Sequence, residues 1–153
     1  QIAPAHTHDL ALVIHTRDAW DDTFDVLAAE GTPERTIFHC FTGGPPEARR
    51  CLDLGALLSF SGIVTFKQSQ DLREAAALCP SDRLLVETDS PYLAPQPVRG
   101  KRCEPRYVLH TLQYLASLKS VNADTLIRQI TENACAAYNL PPVSLLSAPD
   151  ECP

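Results

Sequence analysis

Four short apolar runs, each followed by a segment of helical pattern, constrain this chain more than any other feature. They are LALVIHT (10–16), RTIFHCF (35–41), ALLSFSG (56–62) and DRLLVETD (82–89). Nearly continuous apolar runs of this length suit strands covered on both faces, as in a parallel sheet. DAWDDTFDVLAAEG (18–31) follows the first, with Asp18 as an expected cap, Phe24, Leu27 and Ala28 on one face, and Gly31 as a stop. PEARRCLDLG (46–55) opens on proline and closes on glycine, the usual asymmetry of a helix. SQDLREAAALCP (69–80) has Ser69 to cap it and Pro80 to end it. Two further helices are expected over 104–120, with Val108, Leu112 and Leu115 in register, and over 123–140, with Leu126, Ile130 and Ala134 in register.

The order is therefore β-α-β-α-β-α-β-loop-α-α. Strands alternating with helices imply right-handed parallel crossovers and an α/β fold. Residues 1–140 read as one domain. The last stretch, PPVSLLSAPDECP (141–153), is rich in proline and has no period, so we expect it to be poorly ordered. Gln1 stands where a methionine would open a nascent chain, and we read the sequence as processed, trimmed or partial.

In a parallel α/β sheet, functional groups gather at the carboxyl ends of the strands. Here the first run ends in His15, the second in His39 and the fourth in Asp89. Two imidazoles and a carboxylate are a ligand set for zinc or manganese that leaves coordination positions open. A single strand-end histidine is more often just a satisfied polar residue; three ligand types at equivalent positions favour a site. His6 and His8 look like an HxH metal motif but precede a strand, and read as the end of a helix leading into it. His110 falls within a helix and reads as a surface residue.

The densest basic patch, PVRGKRCEPRY (97–107), lies in the loop after the Asp89 strand. Arg99, Lys101 and Arg102 suit a phosphate, and Gly100 allows close backbone approach. A solvated loop paired with neighbouring acids is the competing reading. The formal net charge of −6 gives no bulk attraction to nucleic acid, so binding of a polyanion has to rest on such a cluster, on a metal, or on both.

No apolar run approaches the roughly 18 residues of a membrane helix. The six cysteines form no CxxC pair and no regular spacing, which points to reduced thiols in a cytoplasmic protein.

VIHTRDAWDDT, FHCFTGGPPEARRCLDLG, SFSGIVTFK, LLVETDSPYLAPQPVRGKRCEP and TENACAAYNL together resemble the TatD-type metal-dependent deoxyribonucleases of the amidohydrolase superfamily. The resemblance runs from Leu10 to Leu140. It implies the second half of a (β/α)8 TIM barrel, strands five to eight with their helices. His15 and His39 look like histidine ligands on the fifth and sixth strands. Asp89 looks like the eighth-strand aspartate, which binds metal and handles the proton of the attacking water. Arg99, Lys101 and Arg102 look like the loop near substrate phosphates, with Cys103 in place of the asparagine often seen there. The implied cofactors are divalent ions (zinc, manganese or magnesium), and the implied substrate is DNA.

The family's first-strand HxH pair and its glutamate ligand have no counterpart here. Three ligands of about six then hold at most one ion well, and we expect weak or absent nuclease activity. A half barrel also leaves outer strands without partners, so self-association is expected. The alternative reading is a non-catalytic remnant that binds one metal or only phosphate groups. Glu87 is left open, either lining the interior beneath the site or paired with Arg17 or Lys67.

Overall fold

A computed structural model of the chain describes residues 1–142; the expected disorder of the tail falls on residues that lie, but for the first two, outside the described ones. Four parallel strands lie in the order β1 (Leu12–Ile14), β2 (Thr36–Phe38), β3 (Leu57–Phe60) and β4 (Leu84–Val86). Val13 pairs with Ile37, Phe38 with Leu58, and Ser59 with Leu85. The chain enters through α1 (Ile2–His8) and crosses over through α2 (Trp20–Glu30), α3 (Pro45–Asp53) and α4 (Gln70–Leu78). It ends in α5 (Val108–Leu118) and α6 (Ala123–Ala137). This is the expected parallel α/β half barrel, with strands shorter than the apolar runs because only their centres pair.

Alternation sorts the strand residues onto two faces. Phe38, Leu58, Phe60 and Leu84 point into the larger core with Phe24 and Leu27 of α2, Ala48 and Cys51 of α3, Ala75 and Ala76 of α4, and Leu112 and Leu115 of α5. Ile37, Leu57 and Leu85 point the other way and are still buried, because Ala134 and Ala137 of α6 pack on them. Helix α6 reaches both faces by running past the outer side of β4. Its Leu126 and Ile130 join the larger core, and Asn133 Nδ2 donates to the carbonyls of Ser81 and Leu84, each at 2.8 Å. Val13 on β1 has no such cover and is 47% exposed. The expectation of strands buried on both faces therefore holds for β2 and β3 and is corrected for β1.

The helix ends differ in detail from the sequence reading. Asp18 does not cap α2; it adopts a left-handed φ of 55°, and Ala19 precedes the helix without a side-chain cap. Ala28 is exposed, because the buried face of α2 narrows to Phe24 and Leu27. At α3, Glu47 accepts from the Gly44 N–H at 2.8 Å, and at α6 the Asn122 side chain accepts from the N–H groups of Asp124 and Thr125. His6 and His8 end α1 as expected, and His6 Nε2 lies 3.1 Å from the Gly31 carbonyl, a link that ties α1 to the end of α2.

Candidate metal and phosphate site

Beyond the carboxyl ends of the strands, the inward-facing positions change from apolar to polar. One pleat above Ile37, Leu57 and Leu85 come His39, Ser59 and Glu87, with His15 beyond β1. His15 and His39 stand ring to ring, centroids 5.1 Å apart. His15 Nδ1 lies 3.2 Å from His39 Nε2. The other nitrogen of His39, Nδ1, lies 2.8 Å from Glu87 Oε1, and Ser59 donates its hydroxyl to the second oxygen of the same carboxylate.

These contacts fix a tautomer. A carboxylate only accepts, so His39 carries its proton on Nδ1 and turns the Nε2 lone pair towards His15. Two nitrogens bound to one zinc at about 2.0–2.1 Å in tetrahedral geometry stand roughly 3.3 Å apart. The observed 3.2 Å is that separation, and the carboxylate behind His39 is the usual outer support of a metal-binding histidine. The pair therefore fits a divalent ion by donor chemistry and spacing. Without an ion, His15 Nδ1–H donates to His39 Nε2.

Asp89 is half-buried, and it lines with His15 a cavity of about 680 Å³. Arg17, Trp20, Cys40, Phe66 and Tyr92 line it too. Among the described residues, no three His, Cys, Asp or Glu side chains are close enough together to hold an ion as they stand. The structure thus brings the two histidines into contact and places Asp89 in the same mouth.

Glu87 pairs with neither Arg17 nor Lys67. Its partners are His39 and Ser59, because its inward position falls level with theirs rather than with the outer loops. The two-residue period that sends Glu87 inward was visible in the sequence; the histidine across the sheet was not. Cys40 is buried beside the site, with its sulfur 3.4 Å from Ser61 Oγ. Burial pushes its thiol pKa up, and Glu87 and Asp89 add to the rise against the Ser61 hydrogen bond, so it stays protonated near neutrality.

The basic loop is built on the cavity rim. Gly62 seats it: a Cβ there would stand 2.2 Å from the Leu93 carbonyl oxygen. Thr65 Oγ1 accepts from the Gln96 N–H at 2.8 Å. Arg99 lays its guanidinium 3.7 Å over the ring of Phe66, itself a cavity wall. Gly100 takes a φ of 87°, the left-handed turn that its lack of a Cβ permits. Lys101 and Arg102 are exposed on that loop, and among the described residues no acid pairs with Arg99, Lys101 or Arg102. Arg106, further on, pairs with Glu104 at 2.8 Å. His110 is half-buried beside Tyr107, ring centroids 5.8 Å apart.

Residues 1–139 match the family described as TatD related DNase. An uncharacterized metal-dependent hydrolase TatD of Mycobacterium tuberculosis is 46% identical over 84% of this chain and 49% of its own length. The uncharacterized metal-dependent hydrolase YabD of Bacillus subtilis is 44% identical over 92% of this chain and 55% of its own. Among solved structures, the TatD homologue YJJV of Escherichia coli superposes with a TM-score of 0.84 at 26% identity, over 92% of this chain and 54% of that one. The chain thus spans about half the length of the curated relatives it matches.

Proposed function

Since the chain belongs to the TatD-related DNase family, we propose that it carries the His-His-Asp half of a metal-dependent site that hydrolyses phosphodiester bonds in DNA. The observation that carries this reading is the 3.2 Å approach of His15 Nδ1 to His39 Nε2, with Glu87 fixing the tautomer. His15, His39 and Asp89 would hold a divalent ion: zinc, manganese or magnesium. Such an ion supplies positive charge that acidifies water and neutralises phosphoryl oxygens.

The protein's own groups do the rest. His39 keeps its lone pair aimed because Glu87 holds the opposite nitrogen. Asp89 accepts the proton of the attacking water, from a half-buried position on the same cavity wall. Arg99, preset on Phe66, meets a phosphate with a planar fork of donors, and Lys101 and Arg102 add charge around it. These cations, with the metal, supply locally the attraction for a polyanion that the net charge of −6 does not. The described cysteines are unpaired, which supports the reducing cytoplasm as its compartment. Among the described residues no helix is long and apolar enough to cross a membrane.

A second reading is favoured by the lack of a ready three-ligand cluster among the described residues. In it, the half barrel binds one ion, or only phosphate, and does not turn over. One experiment separates the two. Single-stranded DNA is incubated with the chain and Mg²⁺ or Mn²⁺, beside Asp89→Asn, and bound metal is measured in wild type and His15→Ala. Cleavage that disappears in Asp89→Asn supports the enzyme. Metal lost in His15→Ala without any cleavage supports the binding remnant. Metal content near zero and unaffected by His15→Ala overturns the metal site itself.

A further inference from the structure

Tyr92 leaves a large ring in solvent at the mouth that also holds His15 and Asp89. It is 70% exposed, the most open of the large hydrophobic side chains among the described residues. Its position is nonetheless well defined by backbone. The Tyr92 N–H donates to the Asp89 carbonyl at 2.8 Å, and both residues line the same cavity. The next residue, Leu93, sits with its carbonyl against Gly62, and the Cys103 N–H donates to the Pro91 carbonyl at 3.0 Å, joining this turn to the basic loop. An aromatic ring held by a fixed backbone loses little freedom when something flat stacks on it.

The walls around it are of the same kind. Phe66 lines the cavity and carries the Arg99 guanidinium at 3.7 Å. Trp20 lines it as well, backed by Phe38 and Phe41 at centroid distances of 6.0 and 5.2 Å. The mouth thus brings the exposed Tyr92 ring and the half-buried Trp20 and Phe66 together with the Arg99 guanidinium that lies on Phe66. A polymer that alternates flat bases with anionic phosphates has the complementary pattern, and base stacking on an aromatic tolerates any sequence because every base has a π face.

We propose that Tyr92 and the Phe66–Arg99 pair form a nucleobase subsite, with Tyr92 stacking on the base next to the scissile bond and Arg99 holding the adjoining phosphate. The inference rests on the DNA reading above and adds to it a residue that grips the base rather than the backbone. It makes Tyr92 a binding residue, distinct from the groups that hold metal or move protons.

The test is binding, read without turnover. The 153-residue chain is titrated with a short single-stranded oligodeoxynucleotide carrying terminal 2-aminopurine, and with the same oligonucleotide carrying an abasic residue there, so that phosphates are equal in number. We expect quenching of 2-aminopurine on binding and roughly tenfold tighter binding of the base-bearing strand, within the range for one base on one ring. Tyr92→Phe keeps both effects, and Tyr92→Ala abolishes both. Circular dichroism of Tyr92→Ala should match wild type, since the ring is no part of the core. Equal affinity for the two strands, or a preference that survives Tyr92→Ala, overturns the subsite and leaves the DNA reading standing. Failure to bind either strand overturns both.

Discussion

Glu87 takes a hydrogen bond from His39 at 2.8 Å, and this bond decides which imidazole nitrogen is left for chemistry. Glu87→Gln keeps an oxygen that can accept but removes the charge and adds an NH2 that must find its own place beside Ser59. We expect the variant to fold and to bind zinc or manganese roughly 10-fold or more weakly, the usual cost of losing an outer-shell partner. Competition with a chelating dye measures it. Unchanged affinity would mean that His39 needs no help to present Nε2.

Gly62 and the Leu93 carbonyl make the closest seat in the structure. A Cβ at Gly62 would fall 2.2 Å from that oxygen and 3.0 Å from Pro95 N, both backbone atoms that no rotamer change can move. Gly62→Ala should therefore cost about 2 kcal/mol, within the range for overpacking, and should shift the segment that carries Tyr92 and Arg99. Urea denaturation reads the first effect. The second shows as weaker oligonucleotide binding in a variant that is still folded.

The alternation of strands and helices was legible because the apolar runs and their Gly and Pro boundaries are local signals. His15, His39 and Asp89 could be singled out for the same reason, since each ends a run. What was not legible depends on register between strands. Nothing near Glu87 in the chain announces that His39, 48 residues away, is its partner. Nor does the sequence of α6 reveal that it crosses from one face of the sheet to the other. Its periodic Leu126, Ile130 and Ala134 suggest a single stripe, whereas Ala134 packs in a different cluster from the first two. Phe66 as the seat of Arg99 was likewise hidden, because a cation over a ring leaves no spacing rule.

Cys51 and Cys79 are fully buried, and burial pushes both thiols from the ordinary 9.0 up to about 12. The thiolate is the reactive form, so neither should react with a thiol reagent at neutral or mildly alkaline pH until the protein unfolds. Mass spectrometry of alkylated peptides checks this. The linkage has a definite sign: the unfolded chain gives up these protons first, so stability falls as pH climbs from about 9 towards 12.

Lys119 reaches from just beyond α5 to the end of α4, where its ammonium donates to the carbonyls of Ala76, Ala77 and Cys79. Those groups form the negative end of the helix and have no intrahelical donors. Lys119→Met fills the same space but leaves the carbonyls to water or to nothing, and should cost about 2 kcal/mol, the scale of charge-assisted hydrogen bonds. Lys119→Arg should recover part of it. Loss of less than about 0.5 kcal/mol, the size of ordinary surface substitutions, would show that solvent satisfies the helix end equally well.

The two margins of the sheet are unlike. Beside β4, Asn133 already occupies the carbonyls of Ser81 and Leu84, and α6 packs across the edge. β1 pairs only with β2 among the described residues, its Val13 is 47% exposed, and Leu10, two residues before the strand, is 53% exposed. An open apolar edge of this kind is a template for further pairing. The chain should therefore associate with concentration, and it should do so through β1. Val13→Lys places a charge on that margin without touching the core, and should shift the population towards monomer in sedimentation velocity. A wild-type chain that stays monomeric at high concentration would show that three residues of open strand are too short to recruit a partner. Association undiminished by Val13→Lys would move the contact away from this edge.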